Sequence, residues 1–233
     1  MSSGFGANAA RKTETLRIGR EQSPVIVIDD FLADISALVN FAASAAQFRA
    51  PNNWYPGLRA APLPQPYVIA AIQALHIVVG EAFGLPTDAQ VDANAYFGLA
   101  TLAPEALSPL QRVPHFDTAN PRQVALLHYL CEPKHGGTSF YRHRATGYEN
   151  ISEDRQRSYY DCLQKELKGP RPPRYVSGDD ELFEEVARFE ARPNRMLIYR
   201  SRALHSANVS VDAGLSNDPR AGRLTANIFL AYR

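Results

Sequence analysis

Cysteine is nearly absent. The 233 residues include two, Cys131 and Cys162, too few for a disulfide framework, and both read as reduced thiols of a cytoplasmic protein. Excess charge is also missing. Twenty-five basic residues against 24 acidic ones leave a net charge of +1, so there is no overall electrostatic case for nucleic acid or an anionic membrane. The opening stretch Met1–Lys12 lacks the apolar core of a signal peptide. No run reads as the about 18 apolar residues of a membrane helix, and nothing recurs at a fixed period. What remains is a globular chain of ordinary composition, 45% hydrophobic and 21% charged. Its length suits a single barrel or sandwich.

Prolines and glycines, by contrast, are scattered among many short apolar runs, as in a loop-rich β protein. Residues 1–22 are small and polar and read as a mobile leader, which leaves 23–233 as one domain. Pro24–Asp30 is β-branched with an acidic stop and reads as a strand. Apolar residues at helical spacing predict a helix over Phe31–Phe48, with Asp30 as its cap, and another over Tyr67–Phe83. Pro51–Pro66 holds five prolines and reads as a packed irregular loop, with a substrate rim as the second reading of its Trp54, Tyr55 and Arg59. Further strands are predicted at Val91–Thr101, Val124–Leu130, Thr138–Tyr141, Arg195–Tyr199, Leu204–Val209 and Arg223–Tyr232. Residues 142–190 read as an insertion with a helix over Asp154–Leu167, a linker over Gly169–Arg174 and a short helix or turn over Glu181–Phe189. Helices first, then many short strands, predict a mainly β (α+β) fold: a jelly-roll or cupin-like double sheet with N-terminal helices and a helical insertion.

The chemistry concentrates in Val113–Pro121. His115 and Asp117 stand two apart, so in an extended segment an imidazole and a carboxylate project from one face. His205, just after an apolar run, offers a third ligand. Two histidines and one carboxylate are the facial triad of non-haem Fe(II) oxygenases, which leaves coordination positions open. On the last strand, Arg223 and Thr225 are also two apart and share a face.

The ordered set His115-Phe-Asp117, His128-Tyr-Leu130, Gly136-Gly-Thr138, His205 and Arg223-Leu-Thr225 resembles the prolyl-hydroxylase-like branch of the Fe(II)/2-oxoglutarate-dependent dioxygenases. The resemblance covers residues 91–233 and implies a double-stranded β-helix core. It further implies that His115, Asp117 and His205 bind Fe(II) and that 2-oxoglutarate chelates the metal. Arg223 would then take the distal carboxylate of the keto acid, for which a guanidinium fork is matched. Thr225 and Tyr129 would add hydroxyls, Leu127 would line the pocket, and Tyr96 would occupy another cosubstrate contact. Asp117 points to hydroxylation, because halogenating relatives carry a small residue there. Two departures are visible. The gap from His205 to Arg223 is longer than in the branch, which makes Arg220 a rival for Arg223. The turn reads Gly-Gly-Thr in place of Gly-Gly-x-Thr.

The implied activity is hydroxylation of an amino-acid, peptidyl or related small substrate with O2, yielding succinate and CO2. Two further readings stay open: a non-catalytic metal or ligand sensor on the same fold, and a cupin-like metalloenzyme that does not use 2-oxoglutarate. The oligomeric state stays open, with a homodimer among the states allowed. His76 and His128 read as structural, His135 and His143 as solvated loop histidines, and Arg142-His143-Arg144 as a solvated basic face.

Overall fold

The computed structural model describes residues 4–52, 54–169 and 171–233. Its strands are β1 (Lys12–Ile18), β2 (Ser23–Asp29), β3 (Gly57–Ala60), β4 (Val91–Ala100), β5 (Gln123–Tyr129), β6 (Thr138–His143), β7 (Phe183–Phe189), β8 (Met196–Arg200), β9 (His205–Ala207) and β10 (Arg223–Tyr232). Its α-helices are α1 (Ser36–Ser44), α2 (Gln65–Phe83) and α3 (Glu153–Glu166). A seven-stranded antiparallel sheet has the order β1-β2-β8-β5-β10-β4-β3, and a three-stranded sheet the order β7-β6-β9.

Alternation along β10 shows how the layers arise. Leu224, Ala226, Ile228 and Leu230 join Val124 and Leu126 of β5 on the outer face, where the buried side of α2 packs. Arg223, Thr225, Asn227 and Phe229 point to the inner face and line a cavity. Farther along the same inner face, Leu197, Tyr199 and Leu127 pack against Phe140 of the smaller sheet, with the Phe140 and Tyr199 rings 5.0 Å apart, edge to face. α3 covers the other side of the smaller sheet through Tyr159 and Leu163, against Tyr141 and Phe183. Two facing antiparallel sheets with helices outside make this a jelly roll, the fold class expected.

α2 starts with Pro66 in its first turn and stops at Gly84, whose left-handed φ of 58° turns its N–H back to Gly80. Over its 19 residues it is apolar enough to match a membrane span by length and composition, which corrects the expectation that no segment would. Here its Tyr67, Ala71, Leu75 and Val79 stripe is buried on the sheet.

Other expectations need correction. The leader is ordered from residue 4 onward, and Lys12–Ile18 pairs along β2, because its alternating residues Leu16 and Ile18 cover the sheet edge; residues 1–3 lie outside the described residues. Helix α1 is shorter than 31–48, and its start is bonded by Asp34, whose carboxylate accepts from the Ser36 N–H and hydroxyl. Asp30 sits at a left-handed φ of 57° and does not cap it. The proline-rich stretch 51–66 contains β3, bracketed by Pro56 and Pro62, where four residues pair with β4; Asn53 lies outside the described residues, as does Pro170 of the predicted linker. Residues 183–189 are a strand of the smaller sheet, held by β6 with a bulge at Phe140–Tyr141, not a helix or turn. The segment read as an insertion therefore supplies β7 as well as α3.

Candidate active site

His115 belongs to no strand. It is placed by two backbone bonds: its N–H donates to the His205 carbonyl at 2.9 Å, and the His205 N–H donates back at 2.8 Å. The Asp117 N–H donates to the Ser201 carbonyl at 2.7 Å. These bonds zip the His115 segment onto the segment that opens β9 and bring the three side chains together. Their ligating atoms all lie within 4.8 Å of one another. Asp117 reaches His115 Nε2 at 4.0 Å through one oxygen and His205 Nε2 at 3.9 Å through the other. The His205 Nδ1–H donates to the Ala203 carbonyl at 2.9 Å, which leaves its Nε2 lone pair free to ligate.

The electrostatics fit a metal site. Burial pushes the His115 imidazole down to about 3, helped by His205 and Arg59, so it is neutral and able to ligate. Much of its side-chain surface is nevertheless exposed; that surface faces the cavity, so exposure and desolvation coexist. Burial raises Asp117 above the usual carboxylate range despite the opposing pull of His205 and Arg59. The Asp117 side chain is still 19% exposed, so the desolvation is partial, and a divalent ion would offset what there is. Two imidazole nitrogens and one carboxylate oxygen are the donor set for Fe(II) with open positions.

The cavity beside these residues has a volume of about 650 Å³. Arg223 is buried in its wall, with Nε donating to the Gly136 carbonyl at 3.2 Å and Nη2 to the Gly137 carbonyl at 2.8 Å. Among the described residues no carboxylate pairs with it. Close approach explains the glycines: a Cβ on Gly137 would meet the Phe189 carbonyl oxygen at 1.8 Å, and one on Gly136, at φ +82°, would meet that of Asn208 at 1.6 Å. The Tyr129 hydroxyl donates to Thr138 Oγ1 at 2.6 Å, 5.7 Å separates the Arg223 guanidinium from the Tyr129 ring, and burial pushes the phenol up to about 12. Thr225, paired across the sheet with Tyr129, accepts from Asn227 Nδ2 at 3.0 Å. Leu127 and Tyr96 also line the cavity. Arg220 does not reach it: the residue is exposed, and its Nη2 donates to Asn40 Oδ1 at 3.0 Å.

Seven of the eight residues singled out from the sequence line one cavity, and the eighth, Tyr129, is fully buried behind it, bonded to Thr138 of its wall. The other histidines do not. His128 faces the outer side, between the Tyr67 hydroxyl at 3.0 Å and Asn194 Oδ1 at 3.1 Å. His135 and His143 are buried, not solvated. His143 is held by Glu166 at 2.8 Å and Thr146 at 2.9 Å. Nor is Arg142–Arg144 a solvated face: Arg142 is buried against Glu149 and Glu184. Residues that sequence reading missed include Tyr199, Asn227 and Phe229. The last two continue the two-residue alternation of Arg223 and Thr225, a signal present in the sequence. Tyr199 follows the apolar run of β8 and carries no such marker.

No curated protein matches the sequence. Solved structures do match in fold. One is HygX from Streptomyces hygroscopicus with nickel, 2-oxoglutarate and hygromycin B bound, at TM-score 0.50 and 12% identity, covering 91% of this chain and 87% of that one. Another is the non-heme alpha ketoglutarate dependent epimerase SnoN from nogalamycin biosynthesis, at TM-score 0.50 and 12% identity, covering 90% and 78%. At such identity the likeness establishes a shared fold. A family model described as "Family of unknown function (DUF6445)" matches residues 9–230, nearly the whole chain, and the chain belongs to that family.

Proposed function

We propose that the protein is a non-haem Fe(II)- and 2-oxoglutarate-dependent oxygenase of the prolyl-hydroxylase-like kind, hydroxylating an amino-acid, peptidyl or related small substrate. One observation carries this reading. A triad of two histidines and a carboxylate shares its cavity with a buried arginine that has no acid partner among the described residues. His115, Asp117 and His205 hold the metal. Arg223 takes the distal carboxylate of 2-oxoglutarate, since its two carbonyl bonds orient the fork and leave Nη1 without a bond among the described residues. Thr225 offers a hydroxyl beside that position, Tyr129 supports the wall through its bond to Thr138, and Leu127 and Tyr96 form walls. When bound, metal and keto acid supply the oxidation: 2-oxoglutarate and O2 go to succinate and CO2 as one oxygen atom enters a substrate C–H bond. The chain's own part is to position these groups and to keep water out.

The test is anaerobic loading followed by turnover. The purified protein is expected to bind Mn(II) and then 2-oxoglutarate by calorimetry, and to form succinate with Fe(II), ascorbate and a substrate library. His115→Ala and Asp117→Ala should lose both. Metal uptake with no affinity for 2-oxoglutarate would overturn the reading in favour of a cupin-like enzyme without a keto acid. Binding of both with no succinate across the library would favour a sensor.

A further inference from the structure

A second unneutralised cation faces the same cavity. Arg59 lies on β3, where it pairs with Gly98 of β4, which in turn pairs with Thr225 of β10. Directly paired residues share a face, so Arg59 and Thr225 both point inward. The Arg59 guanidinium lies 4.1 Å from the centre of the Tyr96 ring and 4.8 Å from that of Tyr55. Tyr96 is in turn stacked on Phe229 at 5.7 Å. Gly98 leaves room for this arrangement, since a Cβ there would meet the Tyr55 hydroxyl at 2.6 Å. Arg59 Nε is buried without a hydrogen-bond acceptor, and no carboxylate pairs with Arg59 among the described residues. Its charge nevertheless acts on both His115 and Asp117.

The charges of the cavity wall do not balance. Its acidic residues are Asp92 and Asp117. Asp92 is taken by Arg233 at 2.6 Å, and Asp117 belongs to the metal site. Arg223 is matched by the cosubstrate under the reading above, which leaves Arg59, hydrogen-bonded to Tyr96, with no acidic partner among the described residues. The opening of the cavity differs in kind. Trp54, Leu110 and Tyr160 line it and are 65%, 39% and 44% exposed. Large apolar side chains left exposed around an opening mark a surface kept for a ligand.

We propose that Arg59 anchors the substrate, and that the substrate is a small carboxylic acid with an apolar portion. Its carboxylate lies in the plane of the Arg59 guanidinium, whose ring stacking leaves the edge for a planar two-oxygen acceptor. Its apolar portion lies along Trp54, Leu110 and Tyr160. This rests on the oxygenase reading, in which Arg223 belongs to 2-oxoglutarate.

Trp54 is the chain's sole tryptophan, so its fluorescence reports on the opening. The Mn(II)- and 2-oxoglutarate-loaded protein is titrated with phenylacetate and with phenylacetamide. The acid should bind about tenfold more tightly than the amide. Arg59→Gln should erase that preference, and Arg59→Lys should keep part of it. Calorimetry should find 2-oxoglutarate affinity within about twofold of wild type in both variants. A wild-type protein with no preference for the acid overturns the proposal. So does an Arg59→Gln protein whose loss is in 2-oxoglutarate affinity, which would give Arg59 to the cosubstrate. A failure of the oxygenase reading shows earlier, as failure to load metal or keto acid; the same titration on the unloaded protein then decides the role of Arg59 alone.

Discussion

Replacing Arg223 by Gln separates its two roles. In the fold, the side chain donates to the Gly136 and Gly137 carbonyls. Losing two such bonds costs roughly 1–3 kcal/mol of stability in net terms. For a chain of this length that lowers Tm by about 2–4 °C per kcal/mol. In binding, the same residue offers a fork to the distal carboxylate of 2-oxoglutarate. Charged hydrogen bonds are worth about 1.5–3 kcal/mol each, so losing a bidentate pair weakens binding by roughly a hundredfold to ten-thousandfold. Arg223→Lys keeps the charge and loses the fork, and should fall between the two. Arg220→Gln is the control, because Arg220 is exposed and bonded to Asn40. The assay is calorimetric titration of 2-oxoglutarate into the Mn(II)-loaded variants, with thermal melts to follow folding. An Arg223→Gln protein that melts lower yet binds 2-oxoglutarate within about threefold of wild type would refute the reasoning, and so would an equal loss in Arg220→Gln.

Burial pushes His128 down to about 4, against the pull of Asn194. The unfolded chain therefore takes up this proton first, so stability is full above pH about 6.5 and falls on acidification toward pH 4, by about 3 kcal/mol at most. Urea denaturation at several pH values should show that slope in wild type and a shallower one in His128→Gln, which keeps the share of buried His115; parallel slopes would reject the assignment. Gly137→Ala forces a methyl against the Phe189 carbonyl oxygen and should destabilise by roughly 1–3 kcal/mol, seen as a lower melting temperature, and it should weaken 2-oxoglutarate binding because it displaces a carbonyl that orients Arg223. Mn(II) at 100 times its Kd should stabilise wild type by about 2.7 kcal/mol and leave Asp117→Ala unchanged. Without metal, Asp117→Ala should be no less stable than wild type, since it removes a carboxyl that burial disfavours; a clear loss there would mean that Asp117 is structural.

Features carried by short-range periodicity were readable in the sequence. The inner face of β10 follows from alternation alone, and the 19-residue α2 follows from its apolar stripe and its Gly84 stop. Features decided by distant partners were not. Lys12–Ile18 is mostly polar and exposed, and it is a strand because β2 offers it a ladder. Phe183–Phe189 carries both charged and apolar residues, and its pairing with β6 decides its form. The buried state of Arg142 follows from Glu149 and Glu184, neither of which marks the sequence as a partner.

The site divides along the same line. Arg223 and Thr225 were legible because one strand carries both. Arg59 was visible only as one member of a possible rim in a proline-rich loop, because β3 has four residues, too few to show a period, and the register across β4 to β10 is what turns it inward. The metal triad lies between these cases. His115 and Asp117 were legible as a spacing, yet they lie on no named strand, and it is not a strand's pleat that brings them together. The reciprocal bonds between the His115 and His205 backbones, with the Asp117 N–H on Ser201, align them with His205. The contact that extends the smaller sheet past β9 is thus also the contact that forms the triad, and metal affinity depends on pairing at that edge as well as on the three side chains themselves.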